Sequence, residues 1–114
     1  MMLELEKKAY IFSVESIGFS KDMEKQGIQT ELAGNLRQAA GRVYTLLTDA
    51  LEAEENKDFA SLFRQSRQQA SEARGHLDKA HPGEDALMKK KKELNTLIDE
   101  IIKLMDEIEG KLIC

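Results

Sequence analysis

The chain of 114 residues has no tryptophan, one proline, one cysteine, two tyrosines and four phenylalanines. A β-sandwich or barrel draws on aromatic and β-branched residues and on frequent turn residues, so this composition argues against one. The lone cysteine, Cys114, excludes an internal disulfide framework and fits a reducing compartment. No apolar run approaches the roughly 20 residues that a membrane-spanning helix needs. The opening MMLELEKK lacks the charged-then-apolar order of a signal peptide. A cytoplasmic protein without membrane contact is therefore expected. Positive charge is also short: the formal net charge is -4 and the pI about 5.3. Phosphate binding needs a basic field, so nucleic acid is disfavoured as a partner.

What is present is charge and helix-forming sequence. Charged residues make up 33% and hydrophobic residues 41%, a balance that favours long amphipathic helices. The length suits one domain spanning residues 1–114. The first helix is predicted over about 3–26, with Leu5, Ala9, Phe12, Phe19 and Met23 on one stripe and Gly27 as its stop. The second, over about 29–55, carries Leu32, Leu36, Ala39, Val43, Leu46 and Ala50, with Thr30 as N-cap. The third, over about 57–80 and capped by Asn56, buries Phe59, Leu62, Phe63, Ser66, Ala70, Ala73, Leu77 and Ala80. His81-Pro82-Gly83-Glu84-Asp85 breaks it and caps the next. The fourth helix, over about 84–112, has the series Leu87, Leu94, Ile98, Ile101, Met105, Ile108, Leu112, in which only Lys91 is polar at a seam position. Short connections make sequential neighbours antiparallel, giving an all-α, up-down-up-down four-helix bundle. Phe12, Leu36, Val43, Leu62, Ile98 and Met105 are expected at its centre.

The second and third helices also carry a family pattern. Leu36-Arg37-Gln38-Ala39-Ala40-Gly41-Arg42-Val43, then Asn56-Lys57-Asp58-Phe59, then Ser66-Arg67 through Glu72, resembles the bacterial four helix bundle protein family. That family includes the proteins encoded by intervening sequences of 23S ribosomal RNA genes, once labelled ribosomal. Ala9-Tyr10 matches the family's first helix. Where the family has Ser-Asn-Ile-Ala-Glu-Gly, this chain departs with Thr45-Leu46-Leu47-Thr48-Asp49-Ala50. The resemblance implies a four-helix bundle, a ring-like homopentamer and no known enzymatic activity. A related, strongly basic branch serves as accessory protein to a reverse transcriptase, which makes an RNA-associated factor the alternative function.

No catalytic, cofactor or metal site emerges from the residues. His76 and His81 are five apart across a helix break, whereas metal-binding helices place ligands three or four apart. The acids Glu100, Asp106, Glu107 and Glu109 lack the Glu-x-x-His pairs of a di-iron bundle and read as a solvated face. Cys114 has no activating neighbour. The Lys89–Lys92 run covers one helical turn, points all ways and is flanked by Glu84, Asp85 and Glu93.

Two surfaces remain. Arg37, Arg42, Arg64, Arg67 and Arg74 are candidates for an RNA or partner contact, with Asp49, Asp58 and Glu72 placed to neutralise them. Arg67 and Glu72 are five apart, so each is expected to pair with another helix, Arg37 being the candidate for Glu72. The second surface lies on the first helix. Tyr10, Val14 and Ile17 form a stripe roughly 200° from the Phe12 stripe at about 100° per residue, beside Ile11 and Gly18. A monomer would put charge there. Self-association through Tyr10, Val14 and Ile17 is expected, against a separate patch at Tyr44 and Leu51 on the second helix.

Overall fold

The computed structural model describes the backbone of residues 2–113 and the side chains of residues 2–111. The expected seam role of Leu112 and the thiol of Cys114 lie outside the described residues. Four helices follow one another: α1 (Met2–Lys25), α2 (Thr30–Glu52), α3 (Asn56–Lys79) and α4 (Asp85–Ile113). They form an all-α bundle of 45 × 20 × 19 Å. Each helix packs against two others, in the cyclic order α1, α2, α3, α4 and back to α1, while the diagonal pairs do not approach closely. None of the four is long and apolar enough to cross a membrane.

The helix ends follow from local chemistry. Gly27 takes a positive φ of 69°, open to glycine without a Cβ clash. The amide of Ile28 donates to Met23 O at 2.9 Å and that of Gly27 to Glu24 O at 3.0 Å. This double closure satisfies the last carbonyls of α1 and tucks Ile28 against the core. Two expected caps move by one residue. Thr30 and Asn56 are the first residues inside α2 and α3, and Gln29 and Glu55 hold the N-cap positions without side-chain capping bonds. The second helix also stops at Glu52, three residues short of its expected end, because Ala53 turns to an extended conformation to start the link to α3.

The core follows the helical stripes with three corrections, one being that Ala33 is buried on α2 where Leu32 is only partly so. Phe12, Leu36, Val43, Ile98 and Met105 are all buried. On α3, Phe63 occupies the centre and Leu62 is only partly buried; on α2, Leu47 is buried and Leu46 is not. Neighbouring residues differ by about 100° around a helix, so a modest rotation of the element exchanges them. Phe59 stacks on Phe63 with ring centroids 5.5 Å apart. The gap in the α1 stripe between Phe12 and Phe19 is filled by Ser16, which is fully buried. The second and third helices bury alanines: Ala39, Ala40, Ala70 and Ala73. Between them Ser66 Oγ donates to Val43 O at 2.7 Å, which satisfies a polar seam position inside the core.

Candidate interaction surface

The expected arginine patch is dispersed by the register of α3 on α4. Arg64 reaches Glu109 at 3.0 Å, Arg67 reaches Asp106 at 2.7 Å and Arg74 reaches Asp99 at 2.6 Å. Each step of three or seven residues up α3 is matched by the same step down α4, as antiparallel helices at constant height require. Asp106 accepts from both Nε and Nη2 of Arg67, the two-pronged geometry suited to a guanidinium. Arg74 also pairs with Asp78, and the hydrogen bonds it donates to Asp99 and Asp78 raise its pKa above the usual arginine value. Arg37 pairs with Glu24 of α1.

These pairings correct three sequence expectations. The neutralising acids are Glu109, Asp106 and Asp99 of α4, Asp78 of α3 and Glu24 of α1, and Asp49, Asp58 and Glu72 take no part. Asp106 and Glu109 are ladder partners and not merely a solvated face. Glu72 stays on its own helix, accepting from Gln69 at 2.8 Å, and Arg37 does not reach it. Arg67 does pair across helices as expected. Arg42 alone makes no ion pair among the described residues. It is exposed and borders a polar groove with Asn35, Gln38, Gln69, Glu72 and His76 between α2 and α3.

The lysine run separates into distinct roles. Lys90 Nζ pairs with Glu15 Oε1 of α1 at 2.7 Å, and that bond raises its pKa. Lys91, the one polar residue of the α4 seam, donates to Ala80 O at 2.8 Å, at the C-terminus of α3. There a cation meets unpaired carbonyls and the negative end of the helix dipole. Lys89 and Lys92 point into solvent. His76 and His81 do not converge: one sits on α3 and the other lies exposed beyond its end. No group of three His, Cys, Asp or Glu side chains among the described residues is arranged to hold a metal.

The outer surface of α1 and α2 has a different character. All five large apolar side chains that are exposed among the described residues lie there: Leu3 at 65%, Tyr10 at 54%, Val14 at 51%, Ile11 at 47% and Leu51 at 37%. Ile17 and Tyr44 beside them are partly buried. The Tyr10 and Tyr44 rings meet edge to face, with centroids 5.3 Å apart. Tyr44 therefore belongs to the same surface as Tyr10, and the expected separation into two patches does not hold. A groove of about 400 Å³ runs past this pair, lined by Glu6, Lys7, Tyr10, Ile11 and Tyr44. Leu51 lies two turns along α2 from Tyr44, and Leu3 two turns back along α1 from Tyr10. In antiparallel helices those positions stand at one height, so the apolar surface continues to the end of the bundle. Sequence reasoning missed Leu3, although its spacing of seven from Tyr10 and of fourteen from Ile17 carried the signal.

Comparison with known proteins bears on the fold. No protein-family model matches the chain, and no curated protein matches it. A solved structure does: a protein of unknown function from the S23 ribosomal protein family of Bacteroides thetaiotaomicron VPI-5482. It superposes with a TM-score of 0.83 over 92% of this chain and 97% of its own, at 17% sequence identity. At that identity the likeness is one of fold.

Proposed function

We propose that this protein is a non-enzymatic helical-bundle module that works by self-association through the outer surface of α1 and α2. The observation that carries the reading is that, among the described residues, all five exposed large apolar side chains lie on those two helices. The largest exposed apolar patch of a protein is often functional. A second copy is the occupant proposed, because the resemblance of the second and third helices implies a homo-oligomer. The fold shared with a ribosomal-protein-family member of unknown function supports the helical bundle, and the family resemblance of the second and third helices implies no known enzymatic activity. Engagement of Arg37, Arg64, Arg67 and Arg74 by carboxylates disperses the arginine patch on which the RNA-associated alternative would rest.

Light scattering at micromolar concentration tests the reading. The wild type is expected to run above its monomer mass of 12.9 kDa, and Val14→Asp to shift toward the monomer with its helicity retained. A wild type that stays monomeric at tens of micromolar overturns it. Mass also reports the number of copies, for which a ring of five is what the family resemblance implies.

A further inference from the structure

Two grooves on adjacent sides of the bundle each hold one acid and one base that form no ion pair among the described residues. The groove between α1 and α2 is walled by the Tyr10 and Tyr44 rings and carries Glu6 and Lys7. The groove between α2 and α3, of about 290 Å³, carries Arg42 and Glu72. Glu72 accepts a hydrogen bond from the neutral Gln69, and the other four arginines are each paired with a carboxylate. Arg42 does not serve the tyrosine groove of its own chain. It stands two residues from Tyr44 on α2, so the two side chains point about 200° apart around the helix.

We infer that Arg42 of one copy enters the Tyr10–Tyr44 groove of a second, its guanidinium against the tyrosine rings and paired with Glu6, while Lys7 of the second copy pairs with Glu72 of the first. This rests on the self-association reading and names the second surface that it uses. Each groove then supplies the opposite charge that the other lacks. A guanidinium stacks on aromatic faces and is more weakly hydrated than an ammonium, so it is the cation that a tyrosine-walled groove suits best. Tyrosine and arginine are also the residues in which interface centres are enriched, and charges at such contacts fix register. The contact is heterologous: it sets an α1–α2 groove against an α2–α3 groove and leaves each copy one groove of each kind for its neighbours. The two grooves are adjacent sides of a four-sided bundle, because each helix packs on two others in cyclic order. Their outward directions stand roughly 90° apart, so each copy is turned by a similar angle from the last and the contacts close into a small ring. A contact of two α1–α2 faces with each other would leave Arg42, on the other side of α2, without a partner.

The experiment is sedimentation velocity on the wild type, Val14→Asp, Arg42→Glu, Glu6→Arg and the double variant with both charges exchanged. Neither Arg42 nor Glu6 holds an ion pair within one chain among the described residues, so the exchanges leave the bundle folded, and a circular dichroism melt verifies it. At least a tenfold weaker association is expected in Arg42→Glu and in Glu6→Arg. The double variant is expected to associate more tightly than either single one, because the pair is restored with its charges reversed. An Arg42→Glu protein that keeps the full assembly while Val14→Asp loses it overturns this contact and leaves self-association standing. So does a double variant that associates no better than the single ones. A monomeric wild type removes the self-association reading and this contact with it.

Discussion

Gln29 joins the two loops at one end of the bundle. Its backbone sits in the left-handed region at φ 42°, where a side chain other than glycine's is strained. The side chain compensates on both sides of the α3 C-terminus: Nε2 donates to Lys79 O at 3.0 Å, and Oε1 accepts from the His81 amide at 2.6 Å. Nearby, Gln26 Nε2 donates to Glu84 at 2.7 Å. Removing the amide by Gln29→Ala is expected to cost about 1–2 kcal/mol, two net hydrogen bonds at about 1 kcal/mol each, with the strained backbone retained. Gln29→Gly loses the same bonds but relaxes the backbone, and should lie closer to wild type. Urea melts of the three proteins measure this; an alanine variant as stable as wild type would show the clamp contributes nothing. None of it was legible beforehand, because the partners are about 50 residues away in sequence and the glutamine has no marked neighbours.

At the scale of the helix, the residues that carry the family resemblance have structural work. Asp58 stands in the first turn of α3, where the helix dipole favours an acid. Phe59 stacks on Phe63, Ser66 ties α3 to the Val43 carbonyl, and Arg67 ties α3 to α4. The pattern therefore encodes how α2, α3 and α4 pack. The corrected seam of α3 makes a quantitative prediction. Phe63→Ala, at a fully buried site, is expected to cost about 3–5 kcal/mol. Leu62→Ala, at a partly buried one, should cost less than half as much. Denaturant melts of the two variants decide it, and equal losses would show that the rotation of α3 is misassigned. Gly34 and Gly41 belong to this scale too. Each weakens the helix by roughly 1 kcal/mol relative to alanine, and nothing inside the molecule requires them.

Over the whole molecule, ion pairs join α1 to α2, α3 to α4 and α1 to α4. Lys8 joins Glu100 at 2.7 Å and Lys90 joins Glu15 at 2.7 Å, both between α1 and α4. The hydrogen bonds donated to those carboxylates raise both lysine pKa values above the ordinary 10.5. A raised folded-state value means stability that is fully present below the unfolded value and lost as pH rises through the folded one. These pairs are thus intact at neutral pH and fail only in strongly alkaline solution. The stability difference between wild type and Lys90→Met is expected to be a few tenths of a kcal/mol at about pH 9 and to vanish by about pH 12. Thermal melts across that range test it; a difference that does not change with pH would remove the Lys90 pair as its source. The charged and apolar surfaces also segregate, with the ladder on α3–α4 and the exposed apolar side chains on α1–α2.

The number of helices, their approximate limits and the second apolar stripe of α1 were all determined by sequence alone. Each rests on local periodicity: glycines and the His81–Asp85 break punctuate the chain, and a stripe opposite Phe12 is visible within α1 itself. Tertiary structure decided the rest. Whether Leu62 or Phe63 and whether Leu46 or Leu47 enters the core depends on each helix's rotation about its axis. Periodicity leaves that rotation uncertain by about one residue, and packing against neighbours settles it. Which acids neutralise Arg64, Arg67 and Arg74 depends on the height at which α3 meets α4, a relation between segments 25 to 45 residues apart. The meeting of Tyr44 with Tyr10, which makes one surface out of two expected patches, is of the same kind: each helix specifies its own faces, and only their packing decides which faces lie side by side.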